Sequence, residues 1–144
     1  VLAEVGIFLI ARRLISQFGV WNLLFVSIAL TGLRWYVMAA FADSFMVIVL
    51  SQLIHALSFG LTHAVSVHFI HQFLPKAYHS RGQAVYISVA FGLGGAFGNY
   101  MAGQQWQQGT NAYETFFTAA VFAIVGALSL LLCSKKDMDE SKAV

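Results

Sequence analysis

The sequence predicts an all-α protein, a polytopic bundle of membrane helices, and three observations carry the prediction. Hydrophobic residues make up 59% of the chain and charged residues 10%, against roughly half and a quarter in an ordinary soluble domain. A chain of 144 residues cannot bury that much apolar surface within itself, whereas a bilayer solvates it. The apolar residues also fall into successive runs of about 20, the length that crosses a hydrocarbon core. Finally, the basic residues cluster in alternate connections. A single Pro adds that the connections are short.

Five spans follow in order. The first is read from Val1 to about Phe18, with Arg12 and Arg13 at its far end, and the second from about Val20 to Ala42, with Arg34 inside. The third runs from about Phe45 to Phe73, stopped by Pro75; the fourth from about Gln83 to Trp106; the fifth from about Tyr113 to Cys133. The remainder, 134–144, is polar, mixed in sign and expected to be a solvated cytoplasmic tail. The opening Val-Leu-Ala-Glu-Val has neither Met nor a basic stretch before its apolar run, so it reads as the inside of a helix rather than a signal peptide.

Arg12 and Arg13, then Lys76 and Arg81, then Lys135, Lys136 and Lys142 occupy alternate ends of the spans, and the other connections carry no Lys or Arg. Only Arg34, of eight basic residues, falls elsewhere. The positive-inside rule makes that face cytoplasmic, with the C-terminus on it. Trp21, Trp106 and Tyr113 sit near span ends, as interfacial aromatics do. A formal charge of +2 is too small to point to nucleic acid. The lone Cys133 has no internal disulfide partner.

Ionisable groups within a span cost about 2.5–3.5 kcal/mol each on insertion scales and normally face the bundle interior. Glu4, Arg34 and His55 are such groups, on three different spans. A carboxyl in low dielectric takes up a proton readily, which makes Glu4 a candidate proton carrier or solute contact. Its alternative is a place near the outer headgroups. Arg34 stays charged and needs an anion, either Glu4 in a structural pair or the carboxylate of a solute.

On an ideal helix Ser51, Gln52, His55, Ser58, Thr62 and Ser66 share one face of the third span, with His63 at its edge. Such a stripe either bonds helices together or lines a wet path. His55 favours the path, because imidazole titrates near neutral pH. His68 and His71 read as interfacial. Neither haem nor metal is expected, because His79 is the only further ring and sits in a connection.

The fourth span contains Gly92, Gly94, Gly95, Gly98, Asn99 and Gly103, with Gly94/Gly98, Gly92/Ala96, Gly95/Asn99 and Asn99/Gly103 four apart. Small residues at this spacing suit close helix packing, static or sliding. A phosphate loop is excluded by the absence of a following Lys-Ser/Thr.

The chain resembles the last five helices of major facilitator transporters, in the branch of the phenylpropionic acid permeases and, more distantly, lactose permease. The resemblance rests on Leu2-Ala3-Glu4-Val5, Leu33-Arg34-Trp35, Leu53-Ile54-His55 and His68-Phe69-Ile70. It continues through Arg81-Gly82-Gln83-Ala84-Val85-Tyr86 and the glycine-rich span ending Met101-Ala102-Gly103. It implies part of the C-terminal half of a twelve-helix fold, helices eight to twelve, with helices one to seven as missing partners.

In lactose permease a glutamate, an arginine and a histidine on helices eight, nine and ten serve sugar binding and proton coupling. Glu4, Arg34 and His55 match them. That permease has a second glutamate one turn after the histidine; here the residue is Ser58, which carries no proton. The resemblance therefore implies a bacterial inner-membrane symporter for a small organic solute, an aromatic or other organic acid. Any protons would pass through Glu4, together with His55 or a carboxylate in the missing half. A sugar or nucleoside symporter and a non-transporting sensor or assembly component are the alternatives. No Gly-x-Ser-x-Gly or His-Glu-x-x-His suggests an enzyme.

Overall fold

The computed structural model describes residues 2–140, and of residues 2–5 and Ala56 the backbone only. Five long helical rods and one short helix follow one another, with no strand among the described residues. The first rod, α1, is Leu2–Phe18 and the second, α2, is Val20–Phe41. The third, α3, runs as Phe45–Phe73, interrupted by a π-helical turn at Ala56–Gly60. The fourth, α4, covers 79–106, with a second π-helical turn at Ser88–Leu93. The fifth, α5, is Ala112–Leu132, and a short α6 spans Lys135–Asp139.

Val20–Phe41, Phe45–Phe73 and Ala112–Leu132, at 22, 29 and 21 residues, are each long and apolar enough to cross a membrane. A rise of about 1.5 Å per residue gives even the shortest a length of about 30 Å, the thickness of the hydrocarbon core. Phe45 (79% exposed), Leu9 (80%) and Leu132 (90%) lie on the outer surface. Lipid tails solvate such side chains as well as a protein core does, so the fold has no reason to hide them.

The breaks between rods have local causes. Gly19 has φ 77° and ψ 164°, a conformation essentially restricted to glycine, and it separates α1 from α2. Leu74, before Pro75, is extended at φ −102° and ψ 145°, because the proline ring disfavours a helical predecessor. Helix α4 then begins at His79, ahead of the span read from hydropathy at Gln83. Its first turn, His-Ser-Arg-Gly, is polar, and hydropathy reports the depth of a residue in lipid rather than helix formation.

Packing centres on α2, which touches α1, α3, α5 and α6. It runs antiparallel to α5 over their whole length. At one end the Trp21 indole N–H donates to the Leu130 carbonyl at 3.1 Å. At the other, Trp35 stacks on Phe116 at 5.6 Å and Tyr36 meets Phe117 edge-on at 6.5 Å. In between, a methyl placed on Gly32 would lie 2.6 Å from Ile124 Cδ1, so glycine permits the close approach. Ile7, Val20, Leu23, Leu24, Leu61 and Val65 form the buried core, joining α1, α2 and α3.

Residues 134–137 and 140 of the tail are exposed, as its composition suggests, but Met138 and Asp139 turn back onto the bundle. Ser134 caps α6 by accepting from the Asp137 N–H at 3.3 Å, and Met138 packs against the core. The Asp139 carboxylate accepts from the Trp21 backbone N–H at 3.0 Å, and its carbonyl accepts from the Gln72 amide at 3.2 Å. The first four N–H groups of a helix lack intrahelical acceptors, and a carboxylate there is favoured by the helix dipole. Local composition could not reveal this, because the partner lies 118 residues away.

Candidate functional site

A cavity of about 680 Å³ opens between α2, α3, α4 and α5, within the ~300–1,000 Å³ range of small-molecule sites. Its lining includes Arg34, His55, Ser58, Thr62 and His63. Five of the six solute or proton candidates read from the sequence therefore come together. The sixth, Glu4, has its side chain outside the described residues.

Arg34 projects from the middle of α2 and is 7% exposed. Its guanidinium carbon lies 4.1 Å from the centroid of the adjacent Trp35 ring. Among the described residues its Nε has no hydrogen-bond partner. A buried donor left without an acceptor costs about 1–3 kcal/mol, more for a charged group. The cavity thus offers a fixed cation with donor capacity to spare, braced from one side by an indole.

The hydroxyls have a different role. Ser51 donates to Ile48 at 2.7 Å and Ser58 to His55 at 3.2 Å, both to backbone carbonyls of their own helix. Thr62 Oγ1 lies 2.8 Å from Ser27 Oγ on α2, and each of these hydroxyls also reaches a carbonyl of its own helix, Ser58 and Leu24 respectively. With one proton apiece, one hydroxyl donates across the interface while the other donates within its helix. On the polar stripe of α3, Thr62 thus bonds α3 to α2, while Ser51 and Ser58 are satisfied within their own helix, leaving the arginine, the histidines and the rings to characterise the cavity.

The aromatic wall was not singled out from the sequence. Trp35, Phe59, Tyr86, Phe91 and Phe122 all line the cavity. Along α3, His55 stacks on Phe59 at 5.2 Å, and Phe59 stacks on His63 at 6.5 Å. Facing them from α4, Phe91 meets Phe59 at 5.8 Å and His63 at 6.0 Å, while Tyr86 meets His63 at 5.7 Å. The Tyr86 hydroxyl and His63 Nδ1 are 3.4 Å apart, a long contact. The four-residue spacing of His55, Phe59 and His63 was the available signal.

Both π-helical turns lie at this site. Each carries a residue of the facing pair, Phe59 in one and Phe91 in the other. A π turn holds an extra residue relative to an α turn and rotates whatever follows it. For that reason an ideal 100° wheel does not give the final face of α3 beyond Gly60. Such turns are frequent at functional sites.

The glycine face of α4 stands apart. A methyl built on Gly92, Gly95, Gly98 or Gly103 meets nothing within 4 Å, and one on Gly94 meets only the Val89 carbonyl of its own rod, at 3.5 Å. Asn99 is exposed as well. A Cβ at any of these glycines would meet no neighbouring helix among the described residues.

Apolar rods, three of them long enough to cross a membrane, around a cavity with a buried cation define an integral, multi-pass membrane protein. The chain matches the family described as "MFS_1 like family" over residues 1–119, and it belongs to that family. Among curated proteins, a maltose permease of Geobacillus stearothermophilus is 31% identical over 130 residues, 88% of this chain and 32% of the permease. The chain thus spans about a third of that relative's length. No solved structure matches.

Proposed function

We propose that this chain forms one wall of the solute path in a secondary transporter that carries a small organic acid across a bacterial inner membrane by alternating access. The observation that carries the reading is Arg34, whose Nε has no acceptor among the described residues and which lines an aromatic cavity. A carboxylate supplies the missing acceptor in a charge-assisted hydrogen bond, and Phe59, Phe91, Trp35 and Phe122 supply flat faces for an aromatic or other planar body. His55 and His63, which also line the cavity, add hydrogen-bonding groups along its α3 wall.

In this reading the chain corresponds to helices eight to twelve, with α1 and α4 crossing the membrane beside the three longer spans. The basic end and C-terminus face the cytoplasm, and helices one to seven form the opposite wall. The order of Glu4, Arg34 and His55 on successive helices supports placing it near the phenylpropionic acid and lactose permeases. Proton symport is proposed through Glu4, because Ser58 has no acidic proton to give.

The test is an uptake panel with the full-length protein, comparing phenylpropionate-type acids with neutral sugars, with and without a proton gradient. Uptake of the acid and its loss in Arg34→Gln are expected. Normal acid uptake by Arg34→Gln overturns the assignment of the solute, and uptake indifferent to the gradient overturns symport. A second reading, a disaccharide as solute, is favoured by the identity to a maltose permease, since sugar rings also stack on aromatic faces. In the same panel it requires that maltose, rather than the acids, be accumulated.

A further inference from the structure

A second concavity lies at the basic end of the bundle and shares only Tyr86 of its lining with the solute cavity. It is a groove of about 590 Å³ between α3 and α4, floored by Leu24 of α2. Phe69, Ile70, Phe73 and Val85 make its walls almost wholly apolar, and its one cationic side chain is Arg81. Arg81 sits 5.7 Å from the Tyr78 ring centroid and is exposed, as is Lys76 in the turn just before. Gly82 keeps the two helices close at this end, because a methyl there would lie 2.5 Å from Leu74 and 2.8 Å from Ile70.

The groove has a direction. Tyr78 and Lys76 belong to the α3–α4 turn, where Pro75 ends the third span, and Arg81 to the first turn of α4, whereas Ser66 and Tyr86 line it about one to two turns deeper. Charge thus sits at one end and apolar walls extend from it into the bilayer. A small hydrated solute gains nothing from such walls. An anionic phospholipid matches both parts: its phosphate is attracted to basic side chains at the membrane surface, and its acyl chain fills the apolar length. Phe73 and Val85 on the rim are 59% and 64% exposed.

We propose that this groove binds one anionic phospholipid, with the phosphate at Arg81 and Lys76 and an acyl chain between Phe69, Phe73 and Val85. The bound lipid fills the gap between α3 and α4, next to Tyr86, which also lines the solute cavity. The proposal stands independently of which solute is carried.

The experiment reconstitutes the full-length protein in nanodiscs of equal parts phosphatidylglycerol and phosphatidylcholine, doped with either lipid carrying an acyl-chain spin label. The motionally restricted fraction is then measured. Wild type is expected to restrict phosphatidylglycerol in at least several-fold preference to phosphatidylcholine. Arg81→Gln is expected to remove the preference, and Val85→Trp, which fills the groove with an indole, to lower the restricted phosphatidylglycerol fraction to that of phosphatidylcholine. Each variant is checked for wild-type helical circular dichroism. Equal restriction of the two lipids by wild type overturns the proposal. So does a preference that persists in folded Arg81→Gln, or a restricted phosphatidylglycerol fraction unchanged in folded Val85→Trp.

Discussion

Replacing Gly19 with alanine tests whether the tail is a structural part of the bundle. The built methyl lies 2.8 Å from Asp139 Oδ1 and 2.9 Å from the other two carboxyl atoms, closer than real contacts allow. The carboxylate, at the end of a flexible side chain, must leave, and it thereby gives up the Trp21 N–H that it holds at 3.0 Å. Loss of such a cap costs about 1 kcal/mol. The backbone at φ 77° and ψ 164° adds about 1–3 kcal/mol for a residue with a Cβ. Restriction of the unfolded chain returns about 0.4–1 kcal/mol. The net expectation is a loss of about 1–3 kcal/mol.

The useful measurement is a double-mutant cycle with Asp139→Ala, by denaturant unfolding in mixed micelles. Asp139→Ala alone is expected to cost about 1 kcal/mol. In its background Gly19→Ala has no carboxylate left to displace. The pair should therefore cost less than the sum of the singles by about 1 kcal/mol. Additive costs would refute the argument that the glycine exists partly to admit the carboxylate. A neutral Gly19→Ala would refute the backbone argument as well.

Three further outcomes follow from the same geometry. Gly32→Ala should be tolerated by a shift of the Ile124 tip, whereas Gly32→Val adds two methyls to a Cβ that already lies 3.4 Å from the Ala120 carbonyl. It should cost about 1–3 kcal/mol by overpacking, read by the same unfolding assay. Ser27→Ala combined with Thr62→Val removes both members of the α2–α3 hydroxyl pair and should cost under about 1 kcal/mol, as interhelical bonds in membranes do; a much larger loss would mean the pair does more than join helices. Phe59→Ala removes the ring that bridges His55, His63 and Phe91. In the uptake assay it should raise KM for an aromatic acid about 2–10-fold, a lost stacking contact being worth about 0.5–1.5 kcal/mol; an unchanged KM would remove Phe59 from the binding surface.

The sequence by itself determined the all-α membrane class. Apolar length and sparse charge are sums over a segment, and a bilayer responds to those sums without regard to neighbours. It also determined which buried polar groups needed explaining, since Arg34 and His55 stand out against any apolar background. The roles of the hydroxyls depended on tertiary structure: whether Thr62 faces a solute or bonds Ser27 is decided by the approach of α2 to α3, and no local pattern encodes that distance. The aromatic wall was hidden for a related reason. Phenylalanines occur throughout the chain, and the π-helical turns that carry Phe59 and Phe91 shift register by a residue where the two rings meet edge-on beside the histidines. The tail is the clearest case, because a carboxylate that composition assigns to water is held in the bundle by a helix N-terminus far away in sequence.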